Sequence, residues 1–191
     1  MNLYLRLIWA LCSGFRSPHL QHNVPYVKDF RVWPHDLDAF GHMNNGRYLQ
    51  IMDVARTEWM VRTGVLSAMW ENKWSAVLGG GVTHYRRSLK LAQKYKVRTQ
   101  LLHWDEQWFF FEHTFLDDRG RHVAVGISRA ALRSTGNWVH TSEVVAHIAP
   151  GSTAPPAPAY LNDWLRLDAD IYQTSNTESK IISTELKEAI Q

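Results

Sequence analysis

The feature that most narrows what this chain can fold into is one stretch of helical spacing set among segments of strand spacing. From Asn45 onward, Tyr48, Met52, Ala55 and Trp59 fall on a single stripe that Ile51 and Val54 widen, while Gln50, Asp53 and Thr57 lie on the more polar side. Asn44 or Asn45 supplies an N-cap and Gly64 a C-terminal stop, so the spacing predicts a helix of roughly 18 residues over 45–63. Around it, Tyr26 to Trp33 (ended by Pro34), Trp74 to Leu78, Gly81 to Leu91, Lys96 to Trp104, Gln107 to Leu116 and His122 to Ser134 read as strands. Asp105-Glu106 and Asp117-Asp118-Arg119-Gly120 read as the tight turns between them. A sheet of this size needs its apolar face covered, and the only large candidate is the helix. The fold class is therefore α+β, with a helix buried nearly all round, as Trp59, Met60 and Val61 in a row also require.

The 191 residues are enough for one substantial core, and 45% hydrophobic with 12% aromatic residues excludes a disordered chain. Residues 24–148 hold that core. Residues 149–159 (APGSTAPPAPA), with four of the seven prolines, form a semi-rigid linker. In residues 160–191, helical spacing runs to about Tyr172 and a polar tail follows, expected to fray, with a weak helix around Ile181, Ile182 and Leu186 as the alternative. Residues 1–23 begin with a short apolar run (Leu7 to Leu11) that imitates a secretory signal, but Arg6 interrupts it and the stretch around Gly14 to Pro18 is a poor cleavage site. A short helix over residues 1–16, packed on its own protein or lying on a membrane surface, is the expectation. Cys12 is the sole cysteine, which excludes an intramolecular disulfide and a cysteine-only metal site and fits a reducing, cytoplasmic setting. No run of about 18 apolar residues is present.

Chemistry concentrates in Asp36-Leu37-Asp38-Ala39-Phe40-Gly41-His42-Met43-Asn44-Asn45. Two carboxylates, an imidazole and two carboxamides stand directly before a helix start, where backbone N–H groups lack partners and the macrodipole is positive. Such a place can hold a developing oxyanion, and a carboxylate just upstream can serve as base or nucleophile towards the same carbonyl. Acyl-group chemistry follows from this pattern, with ordinary capping and turn-making as the competing explanation.

The pattern D-x-D-x-x-G-H-x-N-N-x-x-Y-L, here Asp36 to Leu49, resembles the hot-dog-fold acyl-CoA thioesterases of the 4-hydroxybenzoyl-CoA thioesterase type. The later blocks Tyr85-Arg86-Arg87-Ser88-Leu89-Lys90-Leu91, Val97-Arg98-Thr99 and Leu102-His103-Trp104-Asp105 look like those of bacterial relatives of thioesterase superfamily member six. The resemblance implies a curved antiparallel sheet wrapped around the central helix, and a homodimer or larger assembly with active sites at the subunit interface. It also implies hydrolysis of acyl-CoA or acyl-carrier-protein thioesters without a cofactor. Asp38 then stands as base or nucleophile, with the amide of Asn45 or Gly46 as oxyanion donor. Asn44 is a candidate substrate contact whose competing role is to hold the loop, and His42 sits in the turn into the helix.

Competing roles attach to several residues. Asp36 reads as a loop brace, and His42 as a hydrogen-bonding residue rather than a base. Glu58 is an alternative helix carboxylate, or an i,i+4 partner of Arg62. Between Arg86 and Arg98 stand six basic residues and no acid, a run that suits the phosphates of coenzyme A, with Arg87 and Lys90 as candidate contacts. The same run also fits a solvated edge strand. It does not make a nucleic-acid binder, given no binding motif and a net charge of only +3. Gly79-Gly80-Gly81 lacks the spacing of a phosphate loop and instead suits a bent strand or a close backbone approach to substrate, with Gly80 and Gly81 as candidate contacts. No His, Cys, Asp and Glu spacing argues for a metal. The rivals to a hydrolase are a non-catalytic acyl-thioester-binding or membrane-peripheral protein, and an enoyl-thioester hydratase on the same fold.

Overall fold

A computed structural model describes residues 3–188, with side chains described through residue 175. The described chain divides into two units, one ending at Pro155 and the other beginning at Pro156. In the second, a helix runs from Ala159 to Glu188, past Tyr172 where the apolar repeat stops.

The first unit is built on one antiparallel sheet. Its strands are β1 (Tyr26–Arg31), β2 (Ser75–Tyr85), β3 (Lys94–Trp104), β4 (Phe109–Asp117), β5 (His122–Ser134) and β6 (Asn137–Val139). The order is β1-β3-β4-β5-β2, with the short β6 paired to β5. Both expected turns are made by aspartate side chains. Asp105 Oδ1 accepts the N–H groups of Gln107 and Trp108, and Asp117 Oδ1 accepts those of Arg119 and Arg121. Register shifts at Leu78/Gly80, Leu101/His103 and Phe115/Leu116 add local twist. The sheet curls around the helix α2 (Asn45–Arg62), whose 18 residues match the spacing expectation. Asn44 caps it by accepting the Gly46 N–H, and Gly64 sits at φ +82° just beyond it, as a left-handed stop requires. Two apolar clusters divide along α2: Tyr48, Ile51, Met52 and Ala55 pack with Tyr95 and Phe115, and Trp59 packs with Phe111 and Leu132. Helices α3 (Val65–Asn72) and α4 (Thr141–Ile148) add Val65, Val144 and Val145 to the second cluster.

Residues 3–16 form helix α1 (Leu3–Arg16), packed on α2. Its inner face is Arg6, Ala10 and Gly14. A Cβ on Gly14 would lie 2.8 Å from Val61 Cγ1, so glycine sets how closely the two helices approach.

Two strand expectations need correction. Trp74–Leu78 and Gly81–Leu91 are not separate strands. One strand, β2, runs from Ser75 to Tyr85, and Gly79 is the extra residue of a bulge inside it. Residues 86–91 leave the ladder, because the N–H groups of Arg86 and Arg87 both turn to the carbonyl of Val123. The basic run is therefore a connection as far as Lys90 and a strand only from Lys94. That strand, β3, lies between β1 and β4, so the edge-strand explanation of its lysines does not apply.

Candidate active site

The loop ahead of α2 is tied into a small knot. Asp38 N–H donates to the His42 carbonyl at 2.8 Å, and Gly41, at φ +76°, donates back to the Asp38 carbonyl. Asp38 Oδ1 accepts the Phe40 N–H at 2.9 Å and the His42 N–H at 3.3 Å. This fixes the carboxylate while leaving its Oδ2 outside the turn. The knot is held from below by Asp36, which is fully buried. Its carbonyl accepts the Asn44 N–H, and its Oδ2 accepts from Trp33 N–H and from Arg6 of α1 at 2.5 Å. Asp36 is a brace, as expected of it.

A cleft of about 530 Å³ opens over this loop, lined by Asp38, His42, Asn45, Tyr48, Tyr85 and Arg87 among others. Four of the expected site residues therefore meet in one place. The Tyr85 hydroxyl donates to the Asn45 carbonyl, which pins the first turn of α2 to the end of β2. Of the two amides expected as oxyanion donors, the Gly46 N–H is taken by Asn44 Oδ1 at 2.8 Å, which leaves the Asn45 N–H. Asn44 is thus a cap that holds the loop, and it does not line the cleft as a substrate contact would. His42 is half-buried with its side chain on the cleft, and its backbone bridges to Lys90. Lys90 does not line the cleft. Arg87 does, and it also donates to the His122 carbonyl at 2.8 Å.

Gly80 and Gly81 lie elsewhere, in a groove of about 300 Å³ between α2 and the edge strand β2. Leu49, Met52, Asp53, Arg56 and Ser128 complete its walls. Gly79 is crowded by Trp108, whose ring would lie 2.2 Å from a Cβ there. Asp53, read only as a polar-side residue, is the helix carboxylate that faces these glycines. It pairs with Arg56; partial desolvation pushes its carboxyl up, and Arg56 pulls it back. Arg56 also donates to Ser128 at 2.9 Å. Beside it, the fully buried His113 shares a hydrogen bond of 3.1 Å with Thr99, and burial, then Arg56, holds its pKa well below 6.5. Spacing pointed to neither Asp53 nor His113, because each depends on what the sheet brings opposite it.

Glu58 is not paired with Arg62. It is buried against Lys28 of β1 and accepts from Ser13 of α1 at 3.0 Å, while Arg62 lies over the Tyr26 ring and donates to the Pro18 carbonyl. So placed, Glu58 lines neither the cleft nor the groove. Among the described residues, no three His, Cys, Asp or Glu side chains converge as a metal site would need.

A family model described as Thioesterase-like superfamily matches residues 32–165, which takes in the knotted loop, α2 and strands β2 to β6. The chain belongs to that superfamily. Protein THEM6 of Xenopus laevis is 45% identical over 185 residues, covering 91% of this chain and 87% of that protein. Among solved structures, the probable thioesterase YbaW of Escherichia coli matches with a TM-score of 0.60 at 18% identity, over 65% of this chain and 96% of that one. The BH1999 gentisyl-coenzyme A thioesterase matches with a TM-score of 0.52 at 25% identity, over 56% of this chain and 88% of that one. The sheet curled on a central helix is thus the hot-dog fold that the loop motif implied.

Proposed function

We propose that this chain hydrolyses acyl-CoA thioesters to a free acid and coenzyme A, with Asp38 as the base. The observation that carries the reading is the meeting, in one cleft, of a fixed, half-buried Asp38 carboxylate and an Asn45 N–H that has no acceptor among the described residues. In the reaction, a water oxygen adds to the thioester carbonyl carbon while Asp38 takes its proton. The resulting oxyanion is held by the Asn45 N–H at the positive end of α2. Collapse re-forms the carbonyl and breaks the C–S bond, the departing thiolate takes the proton back from Asp38, and the acid departs. Arg87 at the cleft suits a coenzyme A phosphate. A second copy of the chain, added along the exposed edge of β2, would cover a strand that is otherwise an aggregation liability and give the dimer expected of the motif.

Asp53 favours a second reading, in which the groove beside Gly80 and Gly81 holds the reacting carbonyl and Asp53 is the base. Release of free thiol from acyl-CoAs of graded length, including aryl-CoA, decides between them. We expect wild-type turnover that falls by roughly two or more orders of magnitude in Asp38→Asn with the fold intact. Loss in Asp53→Asn with Asp38→Asn near wild type would move the chemistry to the groove. No turnover from protein that still binds acyl-CoA would leave a binding protein.

A further inference from the structure

Helix α1 is built inside out. Its packed face carries Arg6, Ala10 and Gly14, whereas Tyr4, Leu5, Ile8, Trp9 and Phe15 are each more than half exposed. A surface helix ordinarily shows the opposite arrangement, and apolar patches of this kind mark interaction sites. The helix is also clamped rather than free: Arg6 is bound to buried Asp36, Ser13 to Glu58, and the Trp9 ring lies 3.6 Å from Lys28 Nζ. The apolar face is therefore presented in a fixed direction. It continues into a groove of about 880 Å³ that runs from Leu5, Ile8 and Trp9 to Trp33, with Arg31 and Lys94 also on its wall.

Charge selects the occupant. Helix α1 contains no acidic residue and ends at the exposed Arg16. Arg31 and Lys94 face each other in register across β1 and β3, a like-charge pair that costs stability. Neither enters an ion pair among the described residues, and the one carboxylate on the groove wall, Asp29, is taken by Lys96 at 3.0 Å. A second copy docked face to face would set these cations against themselves. A layer of anionic headgroups over acyl chains complements both parts at once.

We propose that the outward face of α1, with the Arg31–Lys94 pair beside it, docks this protein on an anionic phospholipid surface. The docking does not depend on which carboxylate acts as the base. Helix α1 lies along the membrane, with Leu5, Ile8 and Trp9 at the headgroup–acyl boundary and the two cations among the phosphates.

The test is flotation of the full chain with two kinds of vesicle: phosphatidylcholine alone, and three parts phosphatidylcholine to one part phosphatidylglycerol. Wild type is expected to float with the second kind in a salt-sensitive way. The exposed double variant Leu5→Gln/Ile8→Gln should keep its circular dichroism and lose vesicle affinity by about tenfold or more. Arg31→Gln/Lys94→Gln should bring the two kinds of vesicle to equal, weak flotation. Wild type left behind by both kinds, or flotation unchanged in either variant, overturns the proposal. So does a fall in particle mass by light scattering in Leu5→Gln/Ile8→Gln, which would make the face a contact between copies of the chain.

Discussion

Replacing Glu58 by Gln tests how the sheet edge, the central helix and α1 are held together. Glu58 and Lys28 have side chains only 3% and 4% exposed, so each charge depends on the other for its solvation. Removing one partner of such a pair costs about 3–5 kcal/mol, because the remaining charge is buried without compensation. For a chain of this length that lowers the thermal midpoint by roughly 6–20 °C. Glutamine can still accept from Ser13, so the loss belongs to Lys28 rather than to the Ser13 hydrogen bond. Burial already holds the Lys28 ammonium below its usual pKa of 10.5, with Glu58 opposing that shift. In Glu58→Gln the folded value drops further while the unfolded chain keeps the ordinary one. The unfolded state then binds more protons, and the variant regains stability as pH rises towards 10.5. The double variant Lys28→Met/Glu58→Leu removes both charges and is expected within about 2 kcal/mol of wild type. Urea titrations with equal slopes measure all three proteins. A single variant less than about 1 kcal/mol below wild type, or a double variant as unstable as the single, would refute the argument.

Two further perturbations probe the sheet. His113 is held neutral in the folded protein and titrates normally once unfolded. Its contribution is thus constant above the unfolded value of 6.5 and is lost as pH falls below it, by up to about 1.4 kcal/mol per pH unit. Urea titrations between neutral pH and about pH 5 should show a shallower loss in His113→Gln than in wild type. In Gly126→Ala, the new Cβ would lie 2.2 Å from Met52 Cε and 2.6 Å from its sulfur, in the face of β5 that α2 packs against. The expected cost is about 1–3 kcal/mol, which Met52→Ala in the same chain should partly relieve; an unaltered urea midpoint for Gly126→Ala would contradict the packing.

What the sequence made legible follows the range of each interaction. The bounds of α2 could be read because its signals, Asn44 at one end and Gly64 at the other, are local to the chain. The Asp38 loop could be read because all its chemistry falls within ten consecutive residues, Asp36 to Asn45. The sequence pattern of β2 predicts two strands because the glycine run at Gly79 interrupts it, yet a bulge lets the ladder resume at Gly80. Arg86 to Lys90 looked extended because alternation cannot show that two consecutive N–H groups will turn to Val123. The partner of Glu58 was out of reach: Lys28 is 30 positions away, and only the closure of the sheet brings it nearer than Arg62. The same closure places Gly80 and Gly81 with Asp53 instead of with Asp38.

The ion pair between Arg6 and Asp36 bears on what the first helix is to this protein. The Asp36 carboxylate receives α1 through Arg6 and the exit of β1 through Trp33, and the backbone carbonyl of the same residue receives Asn44, which caps α2. Trimming residues 3–16 would leave Asp36 with the longer Arg47 contact at 3.7 Å in place of Arg6, Glu58 without Ser13, and the Val61 face of α2 in water. The knot that carries Asp38 would lose its floor at the same stroke. Though it lies outside the residues that match the family model, this helix is the foundation on which the Asp38 loop is laid.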